Sequence, residues 1–75
     1  MTEQEYIYKV CCNIKQQRIQ KGFKQIEFAC EIGIDDSSLR RIESGRTSPT
    51  LKTLVRISKA LNICVSELLP DEIID

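Results

Sequence analysis

Gln25-Ile26-Glu27-Phe28-Ala29-Cys30-Glu31-Ile32-Gly33-Ile34-Asp35-Asp36-Ser37-Ser38-Leu39-Arg40-Arg41-Ile42-Glu43-Ser44 is the stretch on which the fold turns. Phe28, Ala29 and Ile32 recur at helical spacing, and so do Leu39 and Ile42. Gly33 separates the two runs and supplies the left-handed backbone that ends a short helix. Ala29 is small where a second helix must cross closely, and Phe28, Ile32, Ile34, Leu39 and Ile42 are apolar where two crossed helices bury their faces. A plain helical hairpin needs neither the glycine nor the small residue at these two offsets together.

Working outward, the same periodicity predicts an all-α chain. Toward the amino end, Ile7, Val10 and Ile14, with Cys11 beside Val10, mark one face of a helix that Gly22 stops, and Phe23 extends that apolar face. Toward the carboxyl end, Ser48-Pro49-Thr50 leads into a helix with Thr50 as its cap. Leu51, Leu54, Val55, Ser58 and Leu61 form its stripe, and Asn62 closes it. A last turn precedes Pro70. The expectation is five helices, near 5–21, 25–32, 36–44, 50–61 and 65–69, in a single domain spanning 1–75. Asp35 is expected to cap the third helix, and Asp36 to suit the positive end of its dipole. No stretch alternates as a strand does.

Composition narrows the classes. Seventy-five residues make one small domain, which buries about 60% of the surface its unfolded chain exposes. No apolar run exceeds three residues, so no transmembrane helix or secretory signal is expected. The net charge of zero hides a pattern: all eleven basic residues lie between Lys9 and Lys59, among five acids, for a local balance of +6. Residues 1–8 carry −2 and residues 60–75 carry −4. A basic middle between acidic ends points toward an anionic partner or, equally, to solvated helix surfaces. The four cysteines, Cys11, Cys12, Cys30 and Cys64, lack the paired spacing of zinc ligands, and the chain has no histidine. Free thiols, no metal, no cofactor and a cytoplasmic setting are the expectation. Without histidine or a glycine-rich phosphate loop, catalysis has little to work with, so no enzyme is expected.

The crossed pair at 25–44 reads as a helix-turn-helix. Four blocks then carry a resemblance: Arg18…Lys21-Gly22-Phe23-Lys24-Gln25; Phe28-Ala29…Ile32-Gly33-Ile34; Leu39…Ile42-Glu43-Ser44-Gly45-Arg46; and Ser48-Pro49-Thr50-Leu51…Leu54…Ile57…Ala60-Leu61. Together, over residues 10–69, the chain resembles the Cro/CI-type (Xre-family) helix-turn-helix regulators, the family of phage lambda repressor and Cro. The resemblance implies a compact five-helix lambda-repressor-like domain whose third helix, 36–44, enters the DNA major groove. It places Asp36, Ser37, Arg40 and Arg41 at base-reading positions and Gln25 and Arg46 against phosphate. Lys24, Ser44 and Thr47 are further phosphate candidates, the last two equally readable as turn residues. Arg18 and Glu43 are implied as a partly buried structural ion pair.

The chain departs from the family pattern at Lys24, where a serine or threonine cap is common, at Gln17, Cys64, and at Asp35 and Asp36. A carboxylate at the reading end repels phosphate and accepts only from cytosine or adenine amino groups, so Ser37 and Arg41 are the better base readers. The expected function is a sequence-specific, double-stranded-DNA-binding regulator acting as a homodimer on a palindromic operator, without membrane or small-molecule ligand. The alternative is a protein-interaction module, antitoxin- or antirepressor-like, on the same fold. The acidic, apolar tail 70–75 could supply a dimer interface or cover the domain's own core.

Overall fold

A computed structural model describes residues 1–74; Asp75, the last residue of the tail, lies outside them. Four α-helices, α1 (Glu3–Gln20), α2 (Gln25–Ile32), α3 (Asp36–Glu43) and α4 (Leu51–Leu61), are followed by a 3-10 turn, Val65–Leu68, and no strand occurs among the described residues.

Local chemistry sets the ends. The Thr2 hydroxyl accepts from Glu5 N at 3.2 Å, and Thr2 N donates to Glu5 Oε1 at 3.0 Å, closing a reciprocal capping box that starts α1 two residues earlier than its apolar spacing implies. Lys24 cannot accept from the amides of α2, but Glu27 Oε1 takes its backbone N–H at 3.0 Å, so half of that box survives without a serine or threonine. Gly33 ends α2 at φ +76°. Asp35 occupies the cap position of α3 but its carboxylate makes no cap hydrogen bond, contrary to expectation. Thr50 caps α4 through Thr53 N at 3.1 Å, and Asn62 ends it in the left-handed region at φ 56°.

The expected fifth helix is a single 3-10 turn instead. Only five residues separate Cys64 from Pro70, and the residue before a proline is driven out of helical backbone; Leu69 lies extended at φ −96°, ψ 135°. The stripe expected on α4 is also displaced. Ile57, Ser58 and Leu61 are buried, whereas Leu51 is 72% exposed and Val55 44%. At 100° per residue the buried side of α4 centres on Ile57, Ser58 and Leu61, with Leu54 packed beside them, and Leu51 and Val55 fall at and beyond its edge.

Each element contributes to one core: Val10, Cys11 and Ile14 from α1, Phe28, Ala29 and Ile32 from α2, Leu39 and Ile42 from α3, Ile57 and Leu61 from α4, and Leu68. Phe23 tilts onto Phe28 with ring centroids 5.2 Å apart. Asn13 Nδ2 donates to the Leu68 carbonyl at 3.1 Å and ties the final turn to α1. Beyond it the tail crosses α1, where Lys9 Nζ meets Glu72 Oε1 at 2.7 Å and the Met1 ammonium donates to the Ile73 carbonyl at 3.1 Å. Ile73 and Ile74 remain exposed, so these two side chains do not cover the core.

Candidate nucleic-acid interface

α3 has two chemically opposite faces. Leu39, Ile42 and Glu43 point inward and are buried, while Ser37, Arg40 and Arg41 are exposed, with Asp36 half-buried at the start and Ser44 exposed just past the end. With α2 packed across it through Phe28, Ala29 and Ile32, the outer row is left for a partner.

The roll of α3 is fixed by Glu43. Its Oε2 accepts from Arg18 Nε at 2.7 Å, and its Oε1 accepts from Arg18 Nη2 at 3.0 Å and from Gln25 Nε2 at 3.1 Å. Arg18 Nη1 donates to the Phe23 carbonyl at 2.8 Å. One carboxylate thus joins α1, the first turn of α2 and the last turn of α3. The geometry is a bidentate fork, with Arg18 and Glu43 side chains only 10% and 3% exposed. Among the described residues no buried side-chain nitrogen or oxygen lacks a partner. Gln25, implied by the resemblance as a phosphate brace, gives one amide N–H to Glu43 and keeps the other.

The outer row lines two open depressions. One, of about 430 Å³, is bounded by Ser37, Arg40, Arg41, Ser44 and Arg46. The other, of about 480 Å³, is bounded by Lys24, Gln25, Ile26, Glu27, Asp36 and Arg40. The structure therefore brings together all the candidate DNA-contacting residues except Thr47, which is exposed but lines neither; its carbonyl accepts from the Cys11 thiol at 3.9 Å. Arg40 borders both. Its Nη2 lies 3.4 Å from Asp36 Oδ2, one turn earlier. Arg41 Nη2 donates to Ser38 Oγ at 3.4 Å, and the Ser44 hydroxyl donates to the Arg41 carbonyl at 3.0 Å.

Two residues of this surface have no part in the sequence reading. Ile26 is 70% exposed in the first turn of α2. It sits roughly 110° round the helix from the mean direction of Phe28, Ala29 and Ile32, so its position off the core face was readable from the helical wheel. Ser38 follows from its i, i+3 spacing to Arg41. The turn after α3 is held by contact: a Cβ on Gly45, at φ +79°, would lie 2.6 Å from Tyr8 Cδ1, so the Tyr8 ring closes on glycine backbone next to Arg46.

All four cysteines are free. Cys11 is buried, Cys12 half-buried, and Cys30 and Cys64 exposed. Burial, with a smaller contribution from neighbouring Cys12, pushes the Cys11 thiol above its ordinary range. Among the described residues no three His, Cys, Asp or Glu side chains gather as metal ligands, and no helix is long and apolar enough to cross a membrane.

This geometry recurs in known proteins. A family model described as helix-turn-helix (HTH_3) matches residues 14–68. The chain is 40% identical over 60 residues to the ImmF control region 10 kDa protein of Bacillus phage phi105, covering 80% of this chain and 67% of that protein. It is 38% identical over 60 residues to the cryptic phage CTXphi transcriptional repressor RstR of Vibrio cholerae, covering 80% of this chain and 54% of the repressor. It thus spans about two thirds of the first relative and just over half of the second. Among solved structures, the N-terminal DNA binding domain of SinR from Bacillus subtilis superposes with a TM-score of 0.78 at 30% identity, over 87% of this chain and 96% of that one. With more than half its length matched by the family model, and with the crossed α2–α3 pair that the family's name describes, the chain belongs to the HTH_3 (Xre-type) helix-turn-helix family of DNA-binding regulators.

Proposed function

We propose that this domain is a phage-type repressor that acts by occupying double-stranded DNA, as a two-fold homodimer on a palindromic operator with α3 of each copy in a major groove. The observation that carries this reading is the outer row of α3, where Ser37, Arg40, Arg41 and Ser44 meet Arg46 on one open surface while Glu43 locks the helix from behind. The phage origin of two relatives near 40% identity favours the phage-type class.

In this reading Ser37 and Arg41 touch base edges, since an arginine can hold guanine O6 and N7 together. Arg46, Lys24 and the remaining N–H of Gln25 anchor phosphates on either side, and Ser44 contributes after turning from the Arg41 carbonyl. Thr47 is a turn residue. Repression needs no catalysis, cofactor or small-molecule ligand, and its place is the cytoplasm.

Selection of bound oligonucleotides from a random duplex pool tests the proposal. It should return a palindrome with half-sites about one helical turn apart, bound with an affinity that falls steeply as salt rises. A chain that enriches no sequence and shows no salt slope is not a DNA reader. A salt-insensitive protein partner would then move the domain to the protein-interaction class.

A further inference from the structure

We propose that Asp36 and Arg40 form one reading unit: the Asp36 carboxylate holds the Arg40 guanidinium toward a guanine in the major groove. Arg40 is the base contact and Asp36 a positioning residue. The inference rests on the DNA-binding reading above.

Asp36 has three possible employments on this helix. It could cap the first amides, but Asp35 holds the cap position and no side-chain cap bond forms at α3. It could take a base amino group directly, at the cost of repelling the flanking phosphates. Or it could hold Arg40, and Oδ2 lies 3.4 Å from Arg40 Nη2 across one turn. The pair is open to solvent, with side chains 43% and 60% exposed, so it contributes little to stability. Its effect is on orientation: it restricts a long side chain that otherwise samples many rotamers.

Charge favours a base over a phosphate as the target of Arg40. A guanidinium already facing a carboxylate has lost much of its attraction to the DNA backbone, but it keeps N–H groups to spare. Guanine O6 and N7 present two acceptors to such a fork. Position agrees, because Arg40 borders both depressions and so stands at the middle of the outer surface, whereas Arg46 borders only one. Arg41 differs in kind: its neighbour is the neutral Ser38 hydroxyl, and its charge is undiminished.

The test uses the full chain and the operator returned by selection, with each variant's thermal melt recorded. Asp36→Ala should lose about ten-fold in preference for guanine at one base pair while binding scrambled duplex more tightly. Arg40→Met keeps the length and the helix propensity but has no donor for guanine, so it should lose the same preference. In the Arg40→Met background, Asp36→Ala should change that base preference no further. Replacing the guanine by 7-deazaguanine, which lacks the N7 acceptor, should weaken wild type and leave Arg40→Met unaffected. An Asp36→Ala chain that gains affinity for every sequence alike and keeps its preferences overturns the proposal, leaving Asp36 as repulsion alone. So does an Arg40→Met chain that keeps its guanine preference. A wild type that enriches no sequence refutes the DNA-binding reading itself, and this inference with it.

Discussion

Glu43 is the residue on which the placement of α3 depends. Two carboxylate oxygens take three donors from two other elements, at 2.7 to 3.1 Å. Glu43→Ala leaves Arg18 charged and largely desolvated, and should cost about 3–5 kcal/mol in a urea titration. Arg18→Met combined with Glu43→Leu should recover most of that loss, because an apolar pair of similar volume replaces the buried charges. A double variant as unstable as Glu43→Ala would show that the carboxylate matters for more than its charge balance. At the outer face the arginines divide. Arg41→Ala should cost about 1–3 kcal/mol on the selected operator and relax preference at one base pair. Arg46→Ala should weaken operator and scrambled DNA alike and lower the salt slope by about one unit. Fluorescence anisotropy on both duplexes distinguishes them; the reverse pattern would mean that α3 is misplaced in the groove. At this scale the sequence is only partly legible. The ion pair of Arg18 and Glu43 is suggested by family resemblance rather than by local pattern, because residues 25 apart carry no periodic signal of contact. The packing of Tyr8 on Gly45 has no sequence signature at all.

Elements are more legible than contacts, since they follow from neighbours along the chain. Apolar spacing bracketed by Gly33 and Gly45 reads α2 and α3 to within one residue of their observed ends. The last turn and the α4 stripe depart from the apolar spacing for different reasons: Pro70 cuts the turn short through its local effect on Leu69, and on α4 packing selects the side of Ile57, Ser58 and Leu61 and leaves Leu51 and Val55 at its edge. The start of α1 was legible in Thr2-x-x-Glu5 but lies outside the apolar pattern. That box gives an element-scale prediction. Hydrogen bonds from the Thr2 backbone N–H and hydroxyl hold the Glu5 carboxyl below its ordinary value. A group depressed on folding stabilises the native state above its unfolded pKa, and that stability is lost as pH falls through the folded value. Wild type should therefore melt above Glu5→Gln near neutral pH, and the two should converge in acid below the usual carboxylate range. Calorimetric scans across that range check it; a constant gap would assign the difference to the amide rather than to charge. Thr2→Ala should cost about 0.5–2 kcal/mol at neutral pH for the lost cap.

For the whole molecule, the surface beyond the α2–α3 unit is the least legible part. The exposed Leu51 and Val55 on α4, with Ile73 and Ile74 on the tail, are apolar groups that one copy leaves in water. If they serve the proposed homodimer, the intact chain should sediment as a dimer at micromolar concentration, and removal of residues 70–75 should weaken association. A chain monomeric in both forms, and still monomeric on DNA, would refute the dimer. The basic middle and acidic ends are plain in the sequence, but which charges share a face depends on how the helices pack.

The shortness of α3 sets a limit on information. Eight residues at about 1.5 Å each give a helix of about 12 Å, the length of three to four base pairs. A four-base-pair word recurs by chance about once in 256 positions, and two such words at fixed spacing about once in 65,000. Against the roughly 10⁶ or more competing sites of a genome, two copies together still leave over a dozen equivalent addresses. The remaining discrimination has to come from the pliancy of the untouched base pairs between the half-words, or from several operators lying side by side. A control region served by this domain should therefore hold either several palindromic operators side by side or a single one whose central base pairs deform easily.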